Sequence, residues 1–304
     1  ELIVDADVRV LIQSSVDGSF AFDANYQTGI SSLGAGPGAQ VSWSRLYYVS
    51  PTSLFNVMNV HVQTGGELVT PSRVVVRGVT VNMDGVLSGA TEMVVGLDAS
   101  VNLGSSGGTS NLTSGRYTLE MLNVDGRALS DGAPSAILGV ADGVTLDISS
   151  IHVVAGEVRP NGALTVLSTL ANISVDGTIT GKGRGYVKQS GPGWGGSSSS
   201  YYYTASASHG GAGGTVDVGA MYGSTFEPVL PGSGGYAGAG GAALRLDADT
   251  LILDGTIDMD GATTMGGAGA GGSVYITTRL LQGTAATAVI RARGGDGTYS
   301  DSSR

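Results

Sequence analysis

Five aspartates fall within fourteen residues: Asp247, Asp249, Asp254, Asp258 and Asp260, with Arg245 just upstream. In an extended chain, alternate side chains share a face, so Asp258 and Asp260 project together. Facing outward, two such carboxylates could exchange protons with a sugar or bind calcium through their oxygens. The competing reading is that outward strand and corner positions simply carry polar turn residues. It applies equally to Asp5, Asp7, Asp98, Asp142 and Asp147. No catalytic residue is assigned, and no cofactor is expected apart from calcium at Asp258 and Asp260.

The other reactive groups are sparse. There is no cysteine, which excludes disulfides, thiolate metal sites and cysteine nucleophiles. His61 and His152 each precede a glycine by four residues, which suggests equivalent positions on different turns of a repeat. His209 stands alone in Ser208-His209-Gly210-Gly211. Three dispersed histidines make a poor metal set. The glycine run 266–272 is not followed by Gly-Lys-Ser/Thr and opens no helix, so it is no phosphate cradle. Trp194 and Tyr201, Tyr202 and Tyr203 flank a serine run and could stack on sugars or bury against a protein. Asn111 and Asn172 head Asn-x-Ser/Thr sequons and are the glycosylation candidates.

The elements that must position these residues come from one returning phrase: alternating apolar residues, a glycine, more alternation, another glycine. It spans 74–85, 173–181 and 251–261, with weaker copies at 60–69 and 151–158. Spacings of about 20 to 30 residues suit a solenoid of short strands, in which stacking aligns equivalent Val, Ile and Leu into a continuous interior. Glycine at each corner is expected to supply a positive φ, and Asp-Gly corners to add a local side-chain hydrogen bond. Asp-Gly is also a hairpin signal, so an antiparallel sandwich competes; recurrence of one phrase with the same corners favours the solenoid.

Composition agrees. Of 304 residues 52 are glycine, 41% are hydrophobic and 13% charged. Thirty of the glycines lie in 181–304 and 22 in 1–180. Disordered chains are poor in β-branched residues, whereas Val, Ile and Thr recur throughout this one. No stretch sustains a helical apolar stripe, and no apolar run approaches a transmembrane helix. A net charge of −10 disfavours nucleic acid and anionic membrane surfaces.

From Gly234 onward the sequence reads as successive turns, 234–261, 266–283 and a third from Ala288, each a glycine-rich loop followed by strands of the type Gly-Gly-Ser-Val-Tyr-Ile (271–276) and Ile-Arg-Ala-Arg-Gly-Gly (290–295). This pattern is similar to secreted glycine-rich right-handed parallel β-helices of the filamentous-haemagglutinin and large-adhesin type. The resemblance covers about 70 residues well and the first 180 only through the weaker phrase. It implies an all-β right-handed parallel β-helix (β-solenoid) with glycine-rich loops. Tighter coils would occupy 1–180, and glycine-rich coils with a Ser/Tyr-rich insertion 181–304, continuous with the first part. It also implies an extracellular or cell-surface location, a non-enzymatic structural or adhesive role, and self-assembly or binding to other fibre proteins, with glycans as further partners. Galacturonase-like enzymes share this fold class, but their Asn-Thr-Asp, Asp-Asp, Gly-His-Gly and Arg-Ile-Lys motifs are missing here, Ser208-His209-Gly210-Gly211 being the nearest match. Pectate-lyase-like enzymes use clustered Asp with an Arg or Lys base. A polysaccharide lyase or hydrolase at 247–260 is therefore the alternative, and a carbohydrate-binding module at Trp194 and Tyr201–Tyr203 a third. The start at Glu1 and the stop inside a loop at Arg304 suggest a segment of a longer protein.

Overall fold

A computed structural model describes the backbone at 2–4, 9–12, 32–35, 40–43, 59–62, 67–69, 73–76, 80–83, 86–88, 92–95, 99–103, 116–126, 136–196, 205–214 and 218–298, and side chains only from Glu92 onward. All regular structure among these residues is β. The chain runs β1 (Leu2–Val4), β2 (Arg9–Ile12), β3 (Ser32–Ala35), β4 (Gln40–Trp43), β5 (Asn59–Val62), β6 (Glu67–Val69), β7 (Arg73–Val76) and β8 (Thr80–Met83). It continues through β9 (Val86–Ser88), β10 (Glu92–Val95), β11 (Ala99–Leu103), β12 (Arg116–Asp125), β13 (Ala136–Val140), β14 (Val144–Val154), β15 (Glu157–Pro160) and β16 (Ala163–Ile173). The last strands are β17 (Thr178–Thr180), β18 (Ala243–Leu253), β19 (Thr256–Asp258), β20 (Thr264–Met265), β21 (Ser273–Gln282), β22 (Val289–Arg291) and β23 (Gly297–Thr298).

Every strand pairing is parallel, and each pass of the chain lays its strand beside that of the previous pass. A ten-stranded sheet runs β1-β3-β5-β8-β11-β13-β15-β17-β19-β22, and a seven-stranded sheet runs β7-β10-β12-β14-β16-β18-β21. A four-stranded sheet, β2-β4-β6-β9, serves the early passes, and β20 pairs with β23. None of these sheets closes on itself. Both large sheets cross residue 180, through β17–β19 and β16–β18.

Register makes columns. In the ten-stranded sheet Leu2, Leu33, Val60, Val81, Val101, Leu138, Val158, Ile179, Ile257 and Ile290 occupy one position. From Val101 to Ile257 the members of this column are buried. In the seven-stranded sheet Val95, Val124, Val153, Ile173 and Leu253 form a second buried column. Strands this short bury too little alone; stacked, each full apolar side chain contributes about 1.5–3 kcal/mol.

The long strands bend at one shared point. In β14 the buried residues are Val144, Leu146 and Ile148, then Ile151 and Val153, a one-residue shift of phase. The same shift occurs in β12, β16 and β18. The ladders skip Glu120, Ser149, Thr169, Asp249 and Arg279, which stack as a corner column. Hydroxyls beside the corner take up its backbone carbonyls: Ser168 Oγ donates to Leu170 O at 2.8 Å, and Thr278 Oγ1 to Leu280 O at 3.0 Å. A pass therefore has straight segments of both phases around one core, and the bend recurs because equivalent residues must stack.

The glycine phrase marks the turn from the seven-stranded to the ten-stranded sheet at 74–85, 151–158, 173–181 and 251–261. The copy at 60–69 instead joins β5 to β6. The expected positive φ at its corners is not what the structure uses. Gly156, Gly177 and Gly255 are absent from the positive-φ set, while Ala155 has φ 49°. A Cβ at Gly177 would instead strike the Val153 carbonyl of the preceding pass, and one at Gly255 the carbonyls of Ser174 and Gly177. Close approach between passes is the constraint. Asp254 likewise makes no local bond; its carboxylate accepts the N–H groups of Thr284 and Ala285 from the next pass.

Candidate functional site

The acidic run resolves into pairs rather than a pocket. Ile257 and Met259 are buried in the core, while Asp258 and Asp260 share the opposite face, as alternation requires. That face is covered: both carboxylates are almost inaccessible, with side-chain exposures of 5%. Arg291 of the next pass donates to Asp258, and Arg293 Nη2 donates to Asp260 Oδ2 at 2.9 Å. Arg291 Nε lies 3.3 Å from Asp260 Oδ2, close enough for charge but not aligned as a hydrogen bond. The Asp260 N–H donates to Asp258 Oδ1 at 2.9 Å. Burial pushes the Asp258 carboxyl up, but the Arg291 hydrogen bond, the Asp260 N–H and the charges of Arg291 and Lys182 bring it below its ordinary value.

The remaining aspartates follow suit. Asp249 takes two donors from Arg279, at 2.7 and 2.9 Å, and that hydrogen bonding lowers its pKa. Asp254 is lowered by the backbone N–H groups of Thr284 and Ala285. Asp247 accepts Arg245 Nε at 2.8 Å, while Arg245 Nη1 reaches Glu227 at 2.7 Å and its guanidinium lies 5.5 Å from the Tyr275 ring centre. Asp249, Asp254 and Asp258, held ionised in this way, are poor proton donors near neutrality. The calcium and acid/base expectation for Asp258 and Asp260 thus meets two carboxylates already neutralised by arginines. Among the described residues no three His, Cys, Asp or Glu side chains converge on a cation position.

A histidine that the sequence left isolated gains a setting. His209 is buried, and its Nδ1 donates to the Gly271 carbonyl at 2.9 Å, since a carbonyl can only accept. In the neutral ring Nε2 is then the acceptor. The ring lies 4.7 Å from that of Tyr222 at 43°. The Tyr222 hydroxyl donates to Pro231 O and accepts from Ser233 Oγ at 2.9 Å; Ser233 Oγ in turn accepts the Gly193 N–H at 2.8 Å. Burial raises the Tyr222 phenol above its ordinary value, Ser233 opposes this, and Tyr186 adds to it. Beside His209 and Tyr222 opens a cleft of about 790 Å³ whose walls include the glycines of 210–214, 269–272 and 294–297. Among the described residues no carboxylate or hydroxyl partners the ring nitrogens of His209, so none of them forms a nucleophile–base–acid series with it. The arrangement pins glycine segments together through buried polar bonds.

The other predicted residues scatter. Asn172 sits mid-sheet on β16, partly exposed, in register between His152 and Ile252. Trp194 is partly buried, its N–H bonded to Gly191 O at 3.1 Å. Asn111 and Tyr201–Tyr203 lie outside the described residues. His61 is on β5 of the ten-stranded sheet and His152 on β14 of the seven-stranded one, so the equivalence expected of them does not hold. The Asp–Arg ladder was missed although aligned phrases carry its signal: Ile257-Asp-Met-Asp-Gly261 stacks under Ile290-Arg-Ala-Arg-Gly294.

Compared with protein-family models, curated proteins and solved structures, the chain matches none of them. The likeness to large adhesins therefore rests on the glycine phrases alone.

Proposed function

We propose that this chain is a stretch of right-handed parallel β-helix that serves as a non-enzymatic structural or adhesive element of an extracellular or cell-surface fibre, assembling with like molecules or with other fibre proteins. The observation that carries this reading is that side-chain chemistry is spent between passes. Among the described residues, aliphatic columns and Asp–Arg pairs run along the stack. The strong right-handed bias of parallel crossover connections supports that hand. Open sheets leave strand edges that another strand can extend, which is the physical route to a fibre.

Light scattering and negative-stain micrographs test this. Elongated particles that lengthen with concentration are expected; a compact monomer at all concentrations overturns the fibre reading. Incubation with acidic polysaccharides, with and without calcium, tests the enzyme alternative. Release of reducing ends or unsaturated products would replace the proposal with a lyase or hydrolase.

A further inference from the structure

In a chain of net charge −10, both lysines and one arginine fall within seven residues: Lys182, Arg184 and Lys188. Among the described residues Arg116, Arg159, Arg245, Arg279, Arg291 and Arg293 are each ion-paired with a carboxylate. Arg184 is not. Its Nη1 donates to a neutral acceptor, Asn161 Oδ1, at 2.6 Å. Burial lowers its pKa first and the charge of Arg159 second, against a smaller opposing pull from Glu157. The Arg159 charge is already committed to Glu157, at 2.6 Å. Arg184 is thus a half-buried guanidinium short of negative charge.

Its position is built rather than incidental. The Arg184 N–H donates to Gly181 O at 3.0 Å, and its carbonyl accepts the Gly162 N–H at 2.7 Å. Gly162 and Gly183 adopt φ of 83° and 62°, conformations that a side chain would strain. A cleft of about 690 Å³ opens here, lined by Asn161, Lys182, Arg184, Tyr186, Leu230 and Pro231 among others. Its single lining carboxylate, Asp142, is occupied with the Ala163 N–H at 2.7 Å.

We propose that this cleft binds a carboxylated saccharide, with the Arg184 guanidinium as the carboxylate anchor and Lys182 as a second positive charge. A guanidinium presents two parallel N–H donors that match a carboxylate. The Tyr186 ring and the Leu230–Pro231 wall suit the C–H face of a sugar, and Asn161 with the surrounding backbone suits its hydroxyls. Its volume falls within the range of small-molecule sites and greatly exceeds a bare inorganic anion. The acidic remainder of the molecule does not prevent this, because fields beyond about 8 Å are screened at physiological salt. The inference goes beyond the fibre reading and does not depend on assembly.

Calorimetric titration of the full chain with 3′-sialyllactose, lactose and inorganic sulfate tests it. The expected result is saturable binding of sialyllactose at one site per chain, weakening as salt rises, with no binding of lactose. Arg184→Gln is expected to weaken binding about tenfold or more, and Arg184→Lys less, because it keeps the charge without the fork. Lys182→Gln, on an exposed side chain that leaves the fold intact, is expected to weaken it about two- to fivefold. Absence of sialyllactose binding, equal binding of lactose, tighter binding of sulfate, or insensitivity to Lys182→Gln would each overturn the proposal. None of these outcomes bears on particle length, so the two readings fail separately.

Discussion

Two regions of this molecule solve the packing problem in opposite ways. In the stacked strands, side chains fill the interior and the backbone pairs pass to pass in register. Among the described residues of 181–242 and 259–272, backbone packs directly on backbone. Gly240 N–H bonds to Tyr186 O, Gly241 N–H to Ala270 O, Gly234 N–H to Ser190 O, and Ala237 N–H to Gly267 O. One segment therefore reaches several neighbours instead of one ladder. A Cβ on Gly240 would meet the Gly232 carbonyl, one on Gly269 the Ala239 carbonyl, and one on Gly272 the Ala242 carbonyl. The contrast teaches that glycine enrichment here is a packing requirement. The strands need volume, whereas the glycine layer needs its absence.

Substitutions can break this contrast from each side. The largest loss is expected from emptying a column: Leu246→Ala should cost about 2–5 kcal/mol in denaturant unfolding, since Leu246 is buried between Val166 and Ile276 in register. An unchanged midpoint would show that the column is not a tight core. Adding one methyl in the glycine layer comes next. Gly240→Ala should cost about 1–3 kcal/mol, because backbone rather than a flexible side chain blocks it. A neutral result would mean that this layer can open to admit a Cβ.

The ladder between the regions adds a pH signature. Asp258 has a folded pKa below its unfolded value, so its contribution is fully present above the unfolded value of about 3.9 and is lost as pH falls through the folded one. Stability of the native chain should therefore decline on acidification below about pH 4. Arg291→Gln should flatten that limb, as read from urea midpoints across pH; a limb of unchanged slope would remove Asp258 from the account. The smallest effect is the control. Gly210→Ala, at a glycine with open space around its Cβ position, should lie within about 0.5 kcal/mol of the parent.

Much of the strand framework was legible because its signal is local. The phrases at 173–181 and 251–261 contain the end of one strand, a corner and the start of the next, all within a dozen residues. The bend within β14 and β18 was less visible, since a one-residue phase shift after Ile148 or Ala248 reads as ordinary noise until equivalent positions are stacked. The candidate sites were read poorly for the same reason. Asp258 looked available in isolation, and only the alignment of its pass with Ile290-Arg-Ala-Arg brings Arg291 across it. Arg184 falls in the stretch 183–203 that the sequence offers as a contact surface, but its lack of a carboxylate partner among the described residues emerges only once the other arginines are placed.

By itself, the sequence determined an all-β chain of short, repeated strands with glycine corners, because alternation and glycine spacing act over a few residues. It also determined a net charge of −10. Only the tertiary structure decided which strands share a sheet and that the corner glycines Gly156, Gly177 and Gly255 answer to close approach rather than to positive φ. It alone paired the aspartates with arginines about 30 residues away. Those outcomes depend on which pass lies against which, and the contact distance between passes is set by side chains far apart in sequence.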